Sequence, residues 1–174
     1  MPTIAQTARW RPRLGASLVD LAAIVVWLGL LTALGFVVRP LLPAAGAPPL
    51  PATDQIAFAA TVLPTWIYLT VGEAGRHQAG PGKRAAGLRV VGAGGFRPSV
   101  GRIAVRNMVK LVPWQLSHVA VARLILGIDD PITIGTAYGL AVLIVAVTVV
   151  MAVRDPAGRA LHDRLAATRV VAAR

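Results

Sequence analysis

The sequence predicts an all-α membrane protein, a four-transmembrane-helix bundle with the N- and C-termini in the cytoplasm. Hydrophobic residues make up 56% of the 174 residues and charged residues only 14%, a composition typical of membrane proteins. The apolar residues fall into four runs, each near the ~20 residues that a helix needs to cross a bilayer. The basic residues cluster outside these runs, which indicates the cytoplasmic side. The four predicted spans are approximately 14–38, 55–72, 111–128 and 132–153.

The first span contains a single charge, Asp20. Its Leu, Ile, Val and Phe residues each favour insertion by about 0.3–0.6 kcal/mol, and together they outweigh the roughly 2.5–3.5 kcal/mol cost of one Asp. An acid kept at that cost is a candidate ion or proton site. The alternative is that Asp20 pairs with Arg13 or with interfacial water. Arg13 lies about two helical turns earlier, ~10.5 Å along the axis, so we expect no direct contact and Asp20 needs another partner.

The second span contains a proline in its middle, Pro64. Proline has no backbone N–H, so the carbonyl of Ala60, four residues earlier, loses its helical donor. Membrane helices tolerate such a break when a neighbouring helix supplies a new donor. We interpret Pro64 as a packing kink rather than a gate.

A basic segment, residues 73–110, joins the second and third spans and is predicted to be cytoplasmic. Its sequence GPGKRAAGLRVVGAGG is rich in glycine, but no Ser or Thr follows Lys83 and the glycine spacing differs from that of a phosphate loop, so nucleotide binding is not expected. Residues 88–91 are consistent with a short strand. Residues 99–110 mix apolar and basic side chains, which predicts an interfacial helix that contacts anionic lipid or a charged flank that only sets topology.

The third span is the weakest, because it is short and contains His118 and Arg123. A histidine at mid-depth titrates near neutral pH and is a candidate proton relay, although it can equally well serve as a hydrogen-bonding group between helices. If this segment does not cross, the chain has three spans and its C-terminus is outside. The basic C-terminal tail argues against that topology.

Several classes of site are not expected from the residue content. The chain has no cysteine, so it has no thiolate metal site or cysteine nucleophile. The polar cluster His162-Asp163-Arg164 lacks metal-ligand spacing. We therefore expect no metal, no cofactor and no catalytic constellation. Nucleic acid is not expected either, because the net charge of +11 is distributed around apolar spans.

Three polar residues occur in an order that suggests a family: Arg13 at the start of the first span, Asp20 within it, and Asp163 in LHDRLAATRVV. With these residues the chain resembles the RDD family of small bacterial membrane proteins, and GKRAAGLRVV resembles that family's loop after the second span. His118 is outside the defining pattern. The resemblance implies a multi-pass protein of the bacterial cytoplasmic membrane. It also implies transport, including the sodium/proton exchange proposed for some members.

Two functions remain open at this point. In the first, an oligomer exchanges cations and protons, with Asp20 as the titratable carboxylate and His118 as a proton relay. Arg13 would then set the local potential and Asp163 would orient the cytoplasmic mouth. In the second, Arg13, Asp20 and Asp163, with His162, form a structural polar network in a scaffold or accessory subunit. A membrane enzyme has the least support.

Overall fold

The computed structural model describes residues 10–41 and 49–173, and most of them are helical. Arg9, part of the basic N-terminal cluster, and residues 42–48 of the proline-rich loop lie outside the described residues. The elements in chain order are α1 (Trp10–Val38) with a 3₁₀ turn (Arg39–Leu41), α2 (Leu50–Ala57), a π-helical turn (Phe58–Val62), α3 (Leu63–Ala74), α4 (Pro81–Ala85), β1 (Leu88–Gly92), α5 (Val100–Ile125), α6 (Pro131–Arg154), α7 (Leu161–Leu165) and β2 (Thr168–Ala172).

Three helical segments in the described chain are long and apolar enough to cross a membrane: Arg11–Leu41, Leu50–Ala74 and Pro131–Arg154. They contain the predicted first, second and fourth spans. Side chains on their outer faces are apolar and exposed, with Phe36 at 76% and Val153 at 79%, as expected for helices surrounded by lipid. The chain is therefore a mostly helical protein with three candidate membrane spans.

The predicted third span lies in α5, which is one continuous helix from Val100 to Ile125. It joins, without a break, residues 100–110 of the expected interfacial helix and residues 111–125 of the expected span 111–128. Its N-terminal half does not present all its polar side chains outward, because Arg106 and Asn107 are buried. Contact of this segment with anionic lipid stays a prediction, because helical periodicity alone cannot show which side of a basic helix another element covers.

The break at Pro64 is repaired by a second helix. A π-helical turn precedes the proline, and the indole N–H of Trp27 in α1 donates to the Ala60 carbonyl at 3.0 Å. The donor that proline removes is thus supplied by a neighbour. This contact fits a packing kink between α1 and the second helical segment.

The structure also contains a two-stranded sheet, so the all-α expectation was wrong in this respect. The predicted strand at residues 88–91 is confirmed as β1, which pairs antiparallel with β2, and Val90 lies opposite Val170. The sheet buries Leu88, Val90 and Val170 against α1 and α5. We call the end of the helices beside these strands the sheet end.

The two halves of the chain repeat the same order of elements: two long helical segments, a five-residue helix and a five-residue strand. The short helices α4 and α7 begin after residues of similar conformation, with φ and ψ of −68° and 172° at Gly80 and −78° and 173° at Ala160. Both are followed by a residue with positive φ, Gly87 and Ala167. The matching residues Val90 and Val170 pair directly, so an approximate twofold axis passes between them.

Candidate functional site: a buried charged layer

Five charged side chains are buried together at the sheet end. They come from five different helices, and each is at most 7% exposed. A buried charge costs several kcal/mol unless it is paired and hydrogen-bonded, so their positions depend on one another. We call this group the charged layer; its members are Asp20 in α1, Glu73 in α3, Lys83 in α4, Arg106 in α5 and Asp163 in α7.

Glu73 is the centre of the layer, with a side chain that is fully buried. Its Oε1 lies 2.8 Å from Lys83 Nζ, and its Oε2 accepts a hydrogen bond from Arg106 Nη1. The carboxylate therefore holds the short helix α4 and the long helix α5 to the end of α3.

Arg106 also binds Asp163, which connects the layer to the C-terminal part of the chain. Arg106 Nε donates to Asp163 Oδ1 at 3.0 Å, while Asp163 accepts from the Ala160 N–H at 3.2 Å and the Thr168 hydroxyl at 3.3 Å. Burial alone would raise the pKa of Asp163, but the Arg106 guanidinium outweighs it and lowers that pKa below its usual value. Asp163 is therefore ionised at neutral pH and holds α7 against α5.

Asp20 has one well-bonded oxygen and one without a hydrogen bond. Its Oδ1 accepts from the Gly82 N–H at 2.9 Å and from the Tyr68 hydroxyl at 3.2 Å. Its buried Oδ2 has no hydrogen-bond partner among the described residues, and it lies 3.9 Å from Lys83 Nζ. One side of the carboxylate is thus fixed, and the other faces a lysine that lies closer to Glu73.

The close approach of α1 and α4 requires a glycine at position 82. A Cβ atom there would lie 2.1 Å from the Ala16 carbonyl oxygen and 2.8 Å from the Asp20 carboxyl carbon. The absent side chain lets the Gly82 N–H reach Asp20. The two residues therefore form one packed unit.

Arg13 lies beside the layer and contacts backbone. Its Nη2 donates to the Val170 carbonyl at 3.0 Å, and its Nη1 donates to the Gly158 carbonyl. As predicted from the spacing, it does not bond to Asp20. Arg13 joins the start of α1 to β2 and to the turn before α7.

Lys83 and Asp163 occupy matching positions in the two repeated halves. In the first half, Asp20 on the first long helix faces Lys83 on the short helix. In the second half, Arg106 on the first long helix binds Asp163 on the short helix. The same helix–helix connection is therefore made with the charges reversed.

The two histidines named from the sequence have different surroundings. His162 Nε2 lies 3.7 Å from Asp163 Oδ2, and burial together with the nearby Arg106 charge lowers its pKa to about 3, so it is neutral. His118 stacks on Trp114 with ring centroids 5.6 Å apart. It follows Arg106 by about 18 Å along α5, outside the charged layer.

The structure thus brings Asp20, Asp163, His162 and Arg13 to one end of the bundle and leaves His118 apart. The sequence did not single out Glu73. Lys83 was considered only for a phosphate loop, and Arg106 only as part of an interfacial helix or a charged flank. A usable signal was present: RVV occurs at Arg89–Val91 and again at Arg169–Val171. That repeat would have paired the two strands and placed the residues before them side by side.

Comparisons with known proteins give one match. A family model described as the RDD family matches residues 7–167. That range includes Arg13, Asp20 and Asp163. No curated protein and no solved structure matches the chain.

Proposed function

The chain belongs to the RDD family, and we propose that it exchanges cations for protons across the bacterial cytoplasmic membrane as a small oligomer. The titratable group in this proposal is Asp20. The single observation that carries it is the geometry of this carboxylate, whose buried Oδ2 has no hydrogen bond in the described chain and lies 3.9 Å from Lys83 Nζ.

The proposed topology has four spans, with α5 as the third and both termini in the cytoplasm. β1 follows the second helical segment, β2 follows α6, and the two strands pair. Paired strands lie on one side of a membrane, so the chain between them crosses an even number of times. Since α6 is a candidate span, this pairing supports a crossing by α5 as well. The basic residues near the sheet end support a cytoplasmic location.

Lys83 gives the exchange a physical basis, because two carboxylates compete for one ammonium group. Lys83 Nζ is 2.8 Å from Glu73 and 3.9 Å from Asp20. When a cation or a proton neutralises Asp20, Lys83 can pair with Glu73 alone. When Asp20 is ionised and has no bound cation, Lys83 balances the charges of both Asp20 and Glu73. Hard cations prefer oxygen ligands, and the Tyr68 hydroxyl adds a second oxygen 3.2 Å from Asp20 Oδ1.

A crevice between α1 and the second helical segment supplies a route toward this carboxylate. It has a volume of about 280 Å³, and Trp27, Pro64 and Tyr68 line it. Tyr68 belongs both to the crevice and to the hydrogen bonds of Asp20. One bundle of four helices has little interior space, so we place the rest of the pathway between copies. A relay role for His118 stays a prediction, because it lies outside the charged layer.

The test is proton flux driven by sodium, potassium or lithium gradients in proteoliposomes. We compare the wild type with Asp20→Asn. The control is Asp54→Asn, which removes an acid that also lies in a candidate span and pairs with Arg123 at 3.2 Å outside the layer. Loss of flux in Asp20→Asn alone supports exchange at Asp20. An absence of flux from folded, correctly assembled wild type contradicts the proposal.

A second candidate function is a scaffold or accessory subunit in which the layer is purely structural. Arg106 favours it, because its guanidinium binds both Glu73 and Asp163, and buried networks of this kind can fix one packing arrangement. In that case Asp20→Asn lowers assembly and the wild type carries no flux. Size-exclusion chromatography of both proteins, run beside the flux assay, separates the two functions.

A further inference from the structure

A second feature beside the charged layer is a cavity of about 190 Å³ lined by four cationic side chains. At ~30 Å³ per water molecule, this volume holds about six waters. The cations come from α1, α4 and α5, so the cavity lies where three helices meet. They are Arg13, Lys83, Arg106 and Lys110.

The cavity has more positive than negative charge. Asp163 is the only carboxylate among the described lining residues, and His162 beside it is neutral. Even when the other acids of the layer, Asp20 and Glu73, are counted, the four cations exceed the carboxylates by one. An excess charge in a partly dry site favours a bound anion.

Lys110 is the cation of this cavity whose ammonium group has no close ion pair with a described residue. Glu73 and Asp163 bind Lys83 and Arg106, whereas no described residue forms a hydrogen bond or an ion pair with Lys110. Arg13 has a spare donor too, because its Nε is buried and unbonded within the described chain. Two unused cationic donors therefore line the same cavity.

Lys110 also lines the end of an apolar groove between α5 and α6. The groove has a volume of about 600 Å³ and is lined by Leu111, Trp114, Tyr138 and Val142, among others. One side chain thus joins a cationic cavity to an apolar groove on the outer surface of the helices. A phospholipid has the matching form, with an anionic phosphate beside apolar acyl chains.

We propose that the cavity binds a phosphate group, supplied by an anionic phospholipid whose acyl chain lies in the α5–α6 groove. Arg13 and Lys110 donate to the phosphate oxygens, and charge-assisted hydrogen bonds of this kind are the strong ones. The proposal rests on the cytoplasmic location given above for the sheet end, since the cytoplasmic leaflet carries the anionic lipids. It concerns a different ligand and a different set of atoms from exchange at Asp20.

The experiment measures lipid binding to the purified protein in detergent by native mass spectrometry. The probes are phosphatidylglycerol, phosphatidylcholine and inorganic phosphate. The variant is Lys110→Gln, which removes no hydrogen bond or ion pair between described residues. Its matched control is Arg102→Gln, because Arg102 is an exposed cation on the same helix. The assay contains no ion gradient, so its failure leaves the exchange proposal untouched.

We expect phosphatidylglycerol to bind more tightly than phosphatidylcholine, and Lys110→Gln to weaken its binding about tenfold or more, while Arg102→Gln has little effect. A second outcome is that inorganic phosphate binds in a Lys110-dependent way and phosphatidylglycerol shows no preference over phosphatidylcholine. That result would support a phosphate site and overturn the assignment of a phospholipid as its ligand. Equal binding of all probes by wild type and Lys110→Gln would overturn the whole proposal.

Discussion

Lys83 in α4 and Asp163 in α7 occupy matching positions in the two halves of the chain and carry opposite charges. Both reach the same central pair, with Lys83 Nζ 2.8 Å from Glu73 and Asp163 Oδ1 3.0 Å from Arg106. The resulting series Lys83–Glu73–Arg106–Asp163 joins the halves across their approximate twofold axis. Glu73 holds α4 through Lys83, and Arg106 holds α7 through Asp163. Glu73 and Arg106 come from different halves and also pair with each other.

The first prediction concerns Arg106. Arg106→Gln removes the cation between two buried carboxylates, and breaking a buried pair in this way costs about 3–5 kcal/mol. We expect a large fall in Tm, measured by thermal unfolding in detergent. The control, Arg102→Gln, changes an exposed residue and should alter the free energy of unfolding by no more than about 0.5 kcal/mol. Equal Tm values for the two variants would show that the layer does not hold the fold.

A pair of glycines on different helices tests the contact between α1 and α4. Gly82→Ala places a methyl group against Ala16 and Asp20, and overpacking of this kind costs about 1–3 kcal/mol. Gly101→Ala in α5 meets nothing within 4 Å and should be neutral or stabilise the helix by up to about 1 kcal/mol. Thermal unfolding measures both. A stable Gly82→Ala protein would contradict the close approach.

Buried His162 makes the free energy of unfolding fall as the pH falls. In the folded chain its pKa is lowered to about 3, whereas in the unfolded chain it is about 6.5. The unfolded state therefore binds a proton first as the pH falls, and stability decreases between about pH 6.5 and 3, by up to ~1.4 kcal/mol per pH unit. His162→Gln should reduce this slope, most clearly above about pH 4.5, where carboxylates are still ionised in the unfolded chain. Below that pH, Asp163, whose pKa is also lowered in the folded chain, adds its own loss of stability. His77→Gln, at an exposed position, should keep the full slope. Unchanged slopes in both variants would contradict the burial of His162.

Membrane topology gives a further prediction, and the natural absence of cysteine makes it simple to measure. A single cysteine is introduced at exposed His77, Leu165 or Asp129, and intact cells are treated with a membrane-impermeant maleimide. With four spans, only Asp129→Cys reacts from outside. Labelling of Leu165→Cys in place of Asp129→Cys would show that α5 does not cross and that the chain has three spans. Labelling of none of the three variants would also contradict the proposed span count.

Local features of this fold could be predicted from the sequence, and long-range contacts could not. The span containing Asp20 and the unpaired Ala60 carbonyl before Pro64 follow from composition and backbone chemistry. The donor from Trp27 and the burial of Arg106 depend on which helices meet, which hydropathy does not report. β2 was missed because an isolated run such as TRVVA is ambiguous until its partner strand is known.

In the candidate site too, residues with a local signal in the sequence could be predicted, and residues that depend on long-range contacts could not. Asp20 is conspicuous because a charge in a span is rare, and Asp163 because it completes a family pattern. Glu73, Lys83 and Arg106 look like ordinary flanking charges, although they form the centre of the layer. His118 is also conspicuous by its depth, yet its described ring contact is to Trp114 alone. Conspicuous position in the sequence therefore selected Asp20, which lies in the charged layer, and His118, which lies outside it.

The most direct measurement is proton movement in wild-type proteoliposomes when a sodium gradient is imposed, repeated with Asp20→Asn. Exchange at Asp20 predicts proton flux opposite to sodium in the wild type and at least a tenfold lower rate in the variant, with both proteins eluting as the same assembly. Wild-type protein that is folded and assembled but moves no protons with sodium, potassium or lithium would contradict exchange. The charged layer would then be a structural network.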